Sequence, residues 1–231
     1  MLEVSNLYSY YGKSAIIQGI DFSVPDGGFL GIVGRNGVGK TTLLRTLMGL
    51  TDRSTGALTL SGDDLLRRPT PERAAAGIAY IPQGREVIPR FTVRENLLMG
   101  TFPRPDGSRD VPQHIYEMFP ILDEFIDRRA GDLSGGQQQQ LAIGRALAMK
   151  PKVILLDEPT EGIQPNIVKE IESVLIRLKR DMGLTIVLVE QNTRFVREAA
   201  DHFLLLEKGR VTLRGTGDEL TSEVVEKYLS I

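Results

Sequence analysis

Gly34-Arg35-Asn36-Gly37-Val38-Gly39-Lys40-Thr41 fits the pattern G-x-x-x-x-G-K-[ST], and no other stretch of the chain restricts the fold so tightly. Such a loop has meaning only where a strand enters it and a helix leaves it. Phe29–Val33 is an apolar run of strand length, and Thr42–Met48 carries a helical pattern, so both flanks are present. The residue types each have their chemistry. Glycines let backbone N–H groups turn inward around phosphate oxygens with no Cβ in the way. Lys40 brings a point charge to β- and γ-phosphates, and the Thr41 hydroxyl can ligate Mg²⁺. A helix from Lys40 to Met48 aims its positive end at the same anion.

The remaining pattern is that of an α/β domain. Ile78–Ile81, Val153–Leu156, Thr185–Val189 and Phe203–Leu206 are further strand-length apolar runs. Several lack alternation, which suits strands buried on both faces of a parallel sheet. Helical patterns separate them. From Ile167, the apolar positions Ile171, Val174, Leu175 and Leu178 share one helix face, and Pro165 stands just before as a starter. Strands alternating with helices predict an α/β core. The first residues differ: Leu2–Tyr10 and Ile16–Val24, joined by a turn at Tyr11-Gly12-Lys13, and Ala57–Leu60 predict an antiparallel β-layer attached to the main sheet. Between Gly84 and Asp132 the strand signal stops. Thr92–Met99, Pro112–Phe119 and Gly136–Met149 read as helices, with a loop at Pro103–Pro112, predicting a helical subdomain inserted into the core.

Composition excludes several alternatives. With 28 Lys+Arg against 30 Asp+Glu the net charge is −2, which offers no general basic field, and no nucleic-acid partner is expected. Cysteine is absent, so disulfides and thiolate metal sites are impossible. His114 and His202 are the only histidines, too few for a histidine-rich metal site. Met1–Asn6 lacks the basic stretch and apolar run of a signal peptide. The longest apolar runs fall far below the roughly 20 residues that span a bilayer. The expectation is a soluble protein of a reducing compartment, which must dock if it acts at a membrane.

A second acidic site follows. Val153-Ile154-Leu155-Leu156-Asp157-Glu158 is an apolar strand ending in two acids. Adjacent buried carboxylates are costly unless something cationic or hydrogen-bonding meets them. A metal–nucleotide site at the strand's C-terminal end supplies such a partner, with Asp157 holding Mg²⁺ through water and Glu158 pointing at the γ-phosphate. Leu133-Ser134-Gly135-Gly136-Gln137 is by itself a helix cap and an anion nest. In the order Tyr11, Gly34–Thr42, Gln83, Leu133–Gln137, Val153–Glu158, however, the chain resembles the ATP-binding-cassette (ABC) ATPases over essentially its whole length.

That resemblance implies a P-loop NTPase with a RecA-like core of ABC type, a single ATPase domain over residues 1–231. Residues 1–83 and 151–231 would form the α/β core with its N-terminal β-layer, and about 84–150 the helical signature subdomain. ATP and Mg²⁺ are the implied cofactors. Gly34, Arg35, Asn36, Gly37, Val38, Gly39, Lys40, Thr41 and Thr42 form the phosphate loop, and Tyr11 resembles the aromatic that stacks on adenine. Gln83 resembles the glutamine that touches Mg²⁺ and the attacking water, giving Thr41, Gln83 and Asp157 as the metal set. Glu158 resembles the catalytic carboxylate. Ser134, Gly135, Gly136 and Gln137 resemble the signature that binds the γ-phosphate of ATP held by the opposite subunit, which implies a head-to-tail dimer. Two positions depart from the pattern. Gln191 stands where the family's switch histidine contacts the γ-phosphate, and Gln164 stands where the loop after the catalytic acid usually carries aspartate. Glutamine can donate a hydrogen bond but cannot become a cation, so slower or more partner-dependent hydrolysis is expected.

One compact cassette with no coiled-coil insert resembles a separate transporter ATPase, an ATP hydrolase of the translocase class. Its implied partners are transmembrane permease subunits, a second ATPase subunit (the same chain or a related one) and, indirectly, an extracytoplasmic solute-binding protein. Its implied place is peripheral, at the cytoplasmic face of the cell membrane. Val189-Glu190-Gln191-Asn192 is similar to the hydrophobic amino-acid and amide importer branch. Pro82–Glu86, Gln137–Arg145 and Glu161–Pro165 are most similar to the urea-importer subunit, with the branched-chain amino-acid subunit as the alternative. A soluble regulatory ATPase without a transport role is the reading from a different class. Phe91 and Ile88-Pro89-Arg90 form an apolar loop patch that either docks on a membrane partner or packs within its own domain.

Overall fold

Five strands explain why the sequence reads as unbroken apolar runs: they feed two cores at once. In β3 (Phe29–Val33), Phe29 and Val33 enter one core while Leu30 and Ile32 enter the other. β6 (Ile78–Ile81), β7 (Val153–Asp157), β8 (Thr185–Val189) and β9 (His202–Glu207) divide their side chains in the same way. The computed structural model describes residues 1–229. These strands run parallel in one six-stranded sheet, ordered β10-β9-β3-β8-β7-β6, and β10 (Arg210–Thr216) closes its edge antiparallel to β9. β10 carries no apolar run to mark it in the sequence, because its residues alternate between half-buried and exposed.

The second core lies between this sheet and a separate antiparallel one, ordered β2-β1-β4-β5. Its strands are β1 (Leu2–Tyr11), β2 (Ser14–Val24), β4 (Arg53–Leu60) and β5 (Asp63–Asp64). The predicted β-layer is thus a sheet of its own, joined to the main sheet by packing and by the Gln18 N–H donating to the Gly209 carbonyl at 2.9 Å. Helix α1 (Lys40–Leu47) fills the gap between the sheets with Leu43, Leu44 and Leu47.

The tether of α1 was not foreseen. Helix α2 (Thr70–Ala76) buries Arg73, whose guanidinium donates to the carbonyls of Thr46 and Leu47 in the last turn of α1, and to those of Leu66 and Arg68. The last carbonyls of a helix lack partners within it, so this side chain serves as the cap. Arg73→Ala is expected to destabilise the fold by about 2 kcal/mol, because buried acceptors lose their donors. The corresponding fall in Tm is about 4–8 °C, read by thermal unfolding of the nucleotide-free chain. An unchanged Tm would show that water replaces the guanidinium without cost.

Between β6 and β7 every element among the described residues is helical. These are α3 (Val93–Gly100), α4 (Gln113–Met118), α5 (Pro120–Glu124), a short 3₁₀ turn at Ala130–Asp132, and α6 (Gly135–Ala148). Both long helices begin with a capping box: Thr92 with Glu95 for α3, and Ser134 with Gln137 for α6. Buried Asn96 ties the preceding loop to α3, accepting from the Ile88 N–H and donating to the Ile88 and Thr92 carbonyls. The loop patch of Ile88–Phe91 is therefore held by its own domain, while Phe91 keeps 37% of its surface exposed. Helices α7 (Pro165–Met182) and α8 (Thr193–Ala199) complete the first core, and α9 (Ser222–Leu229) packs at its margin. No helix among the described residues is long and apolar enough to cross a membrane.

Candidate nucleotide site

The C-terminal ends of β3, β7 and β8 come together because β8 pairs with both neighbours, and all three loops open on the same side of the sheet. The loop after β3 is the glycine-rich one. Gly37 and Gly39 have φ of 78° and 109°, backbone that L side chains rarely adopt, and Gly39 is the N-cap residue of α1. No side chain caps α1. Its first internal hydrogen bond is donated by Leu43 to the Gly39 carbonyl, so the N–H groups of Lys40, Thr41 and Thr42 have no helical acceptor.

Buried Lys40 lies along this loop. Its Nζ donates to the carbonyls of Gly34 (2.8 Å) and Arg35 (3.1 Å) and stands 3.4 Å from Glu158 Oε1. Thr41 Oγ1 donates to Asp157 Oδ1 at 3.1 Å, and Tyr80 OH donates to Asp157 Oδ2 at 3.3 Å. Asp157 is fully buried at the end of β7. Burial pushes its carboxyl above the ordinary range, the adjacent Glu158 adds to that push, and the Thr41 hydroxyl opposes it. A cation placed there would reverse the balance.

Glu158 holds φ of 48°, unfavourable for a residue with a Cβ, and its N–H donates to the Val189 carbonyl at 2.9 Å. Its Oε2 accepts from Gln191 Nε2 at 2.9 Å. Gln83 Nε2 donates to Glu161 Oε2 at 2.6 Å. These groups enclose a cavity of about 410 Å³, lined by Tyr11, Ile16, most of the glycine loop, Gln83, Glu158, Glu161 and Gln191.

Most of the residues singled out from the sequence therefore meet at one place. Tyr11, Asn36, Gly37, Gly39, Lys40, Thr41, Thr42, Gln83, Glu158 and Gln191 line the cavity. Asp157 stands behind Thr41. Gly34 and Arg35 contribute carbonyls that hold Lys40, and Val38 packs towards the second core. Ser134, Gly135, Gly136 and Gln137 line none of this cavity. They open α6 elsewhere, with Ser134 exposed and Gly136 packed against Ile167 of α7 so closely that a Cβ would come within 2.8 Å of it.

One residue of the cavity, Glu161, and one beside it, Glu190, carry no role in the sequence pattern above. Glu161 lines the cavity and holds Gln83. Glu190, at the end of β8, is buried and accepts four hydrogen bonds, from Thr160 Oγ1 and the N–H groups of Thr160, Gln191 and Asn192. Burial drives its carboxyl above the usual range against those donors. The signal that could have found it is the one that marked Asp157, an acid directly after an apolar strand.

The donor set suits a nucleotide and a hard divalent cation. A helix N-terminus with free N–H groups, a lysine ammonium and glycine backbone can surround phosphate oxygens. The Thr41 hydroxyl, the Asp157 carboxylate and the Gln83 amide oxygen are hard oxygen donors of the kind Mg²⁺ prefers. No group of three or more His, Cys, Asp or Glu capable of caging a metal exists among the described residues. A cation here would thus share its shell with phosphates and water, as Mg²⁺ commonly does.

Comparison with known proteins places the whole chain in one family. Residues 17–161 match the family described as ABC transporter. The chain is 40% identical over 232 residues to the high-affinity branched-chain amino acid transport ATP-binding protein BraG of Pseudomonas aeruginosa, covering 99% of each. It is 37% identical over 221 residues to LivF of Archaeoglobus fulgidus, described as a probable branched-chain amino acid transport ATP-binding protein, covering 95% of this chain and 94% of that one. The dimeric structure of a bacterial ABC transporter cassette superposes with a TM-score of 0.82 at 26% identity, over 94% of this chain and 98% of that one.

Proposed function

This chain belongs to the ABC transporter family, and on that premise we propose that it powers the import of branched-chain amino acids. It is an ATPase subunit whose hydrolysis is coupled to transport. The near end-to-end match to BraG, with LivF beside it, is the observation that carries the solute reading. It moves the choice from urea, favoured by short motifs alone, to the branched-chain alternative. The cassette itself never touches the solute, so full-length similarity is the better guide to its partners than any single residue.

The residues divide the work as follows. Tyr11 stacks on adenine. The loop Gly34–Thr42 holds the phosphates, with Lys40 turning from the Gly34 and Arg35 carbonyls to the β- and γ-oxygens. Thr41, Asp157 and Gln83 would hold Mg²⁺, whose charge would offset that developing on the phosphates. Glu158 orients the attacking water and accepts its proton, and Gln191 fixes Glu158 from the side. Ser134, Gly135, Gly136 and Gln137 open towards a second ATPase subunit and meet its γ-phosphate at the N-terminus of α6. Closing and reopening of this dimer moves the permease subunits, at the cytoplasmic face of the membrane. The extracytoplasmic binding protein is engaged through the permeases.

The test is uptake by proteoliposomes containing the chain and the permease subunits that co-purify with it from detergent. ATP-driven leucine uptake well above urea uptake is expected; the reverse preference would overturn the solute reading. Ser134→Arg in the same vesicles is expected to abolish uptake while the isolated chain still binds ATP, because the bulky side chain obstructs the shared site and leaves the phosphate loop intact. Uptake undiminished by Ser134→Arg would sink the shared-site mechanism.

A further inference from the structure

Buried Glu190 is not a ligand of the cavity, yet it lies between the two loops that supply Glu158 and Gln191. One carboxylate oxygen, Oε1, takes both donors of Thr160: Oγ1 at 2.7 Å and N–H at 3.2 Å. The other, Oε2, takes the N–H groups of Gln191 (3.1 Å) and Asn192 (3.4 Å). Thr160 is two residues beyond Glu158, whose positive φ persists only if its surroundings over-determine it. The Glu190 backbone is itself anchored, its N–H donating to the Ile32 carbonyl of β3 at 3.2 Å. Asn192 continues the chain of contacts, donating to Glu172 of α7 and capping α8.

We propose that Glu190 is a positioning residue for ATP hydrolysis, a carboxylate clamp that joins the loop of Thr160 to the loop of Gln191 and so sets the approach of Gln191 to Glu158. This rests on the catalytic assignment of Glu158 above. The clamp needs two acceptor oxygens, each facing two donors, and only a carboxylate supplies them. An amide in its place turns N–H groups towards N–H or O–H groups on one side, and that loop is released. The phosphate loop on β3 and α1 makes no hydrogen bond to the Glu190 side chain, so the groups of that loop that hold phosphate keep their geometry when the clamp is cut.

Glu190→Gln is therefore expected to lower kcat about tenfold in the assembled transporter while the ATP dissociation constant stays within about twofold. Thr160→Val, which removes one donor of the four, is expected to lower kcat about threefold, and Thr160→Ser to restore it. The double variant Glu190→Gln/Thr160→Val should fall no further than Glu190→Gln alone, since both cut the same link. In crystals of the nucleotide-free Glu190→Gln chain, Gln191 Nε2 and the Glu158 carboxylate should lie beyond hydrogen-bonding distance. Wild-type kcat in both single variants, alongside inactive Glu158→Gln, would overturn the clamp and leave the catalytic assignment standing. Parallel loss of kcat, ATP affinity and thermal stability would overturn it too, as the mark of a merely structural role. Undiminished turnover in Glu158→Gln would remove the catalytic assignment and the clamp with it.

Discussion

Glu158→Gln is expected to cut ATP turnover by about 10²-fold or more while leaving ATP binding intact, because the amide keeps the shape of the side chain but cannot accept a proton from water. The surroundings of Glu158 sharpen the expectation. Its carboxylate is nearly buried, 3.4 Å from Lys40 Nζ and 2.9 Å from Gln191 Nε2. An amide oxygen can still accept from Gln191, so the loop geometry has reason to persist. Removing a negative charge from the pocket also relieves repulsion of the γ-phosphate, so affinity for ATP should hold or rise by a few-fold. Isothermal titration and a phosphate-release assay on the same preparation separate the two effects. Turnover within threefold of the parent would show that another group activates the water.

Lys40→Ala should act on the other side of that divide. Lys40 lines the cavity, and each charge-assisted hydrogen bond that its ammonium would make to phosphate is worth about 1.5–3 kcal/mol. Losing two of them weakens binding by about 100-fold at the least. The substitution also leaves the Gly34 and Arg35 carbonyls and Glu158 without their cation, so a modest fall in the Tm of the nucleotide-free chain should accompany it. Titration with MgATP at concentrations up to the millimolar range checks the binding loss. Ordinary affinity in a folded Lys40→Ala chain would refute the assignment of the loop.

How much of this was legible in advance depended on how local the physical requirement is. The glycine loop declares itself because its backbone demands, at Gly37 and Gly39, are met or failed within a few residues, and because strand and helix must flank it. Asp157 and Glu158 were visible because two acids ending an apolar run stand out against the cost of burying charge. The helical stretch between β6 and β7 followed from the loss of strand signal after Gly84, and the Ser134 cap from the residues Ser134-Gly135-Gly136. Arg73 and Asn96 were invisible, since each is an ordinary polar residue until distant carbonyls converge on it.

The strands with apolar runs, the phosphate loop and the chemistry of its lysine were therefore set by the order of residues along the chain, where backbone conformation and side-chain periodicity are decided over a turn or two. Which acid meets which amide was decided by strand order. β8 inserts between β3 and β7, and that placement brings Gln191 to Glu158 and Thr160 to Glu190 across about thirty residues of chain. An acid directly after an apolar strand marks Glu190 for burial, but nothing within Val189-Glu190-Gln191-Asn192 says which donors it will meet. The difference lies in the two donors that Thr160 supplies from another loop, and only packing of the sheet brings them to 2.7 and 3.2 Å.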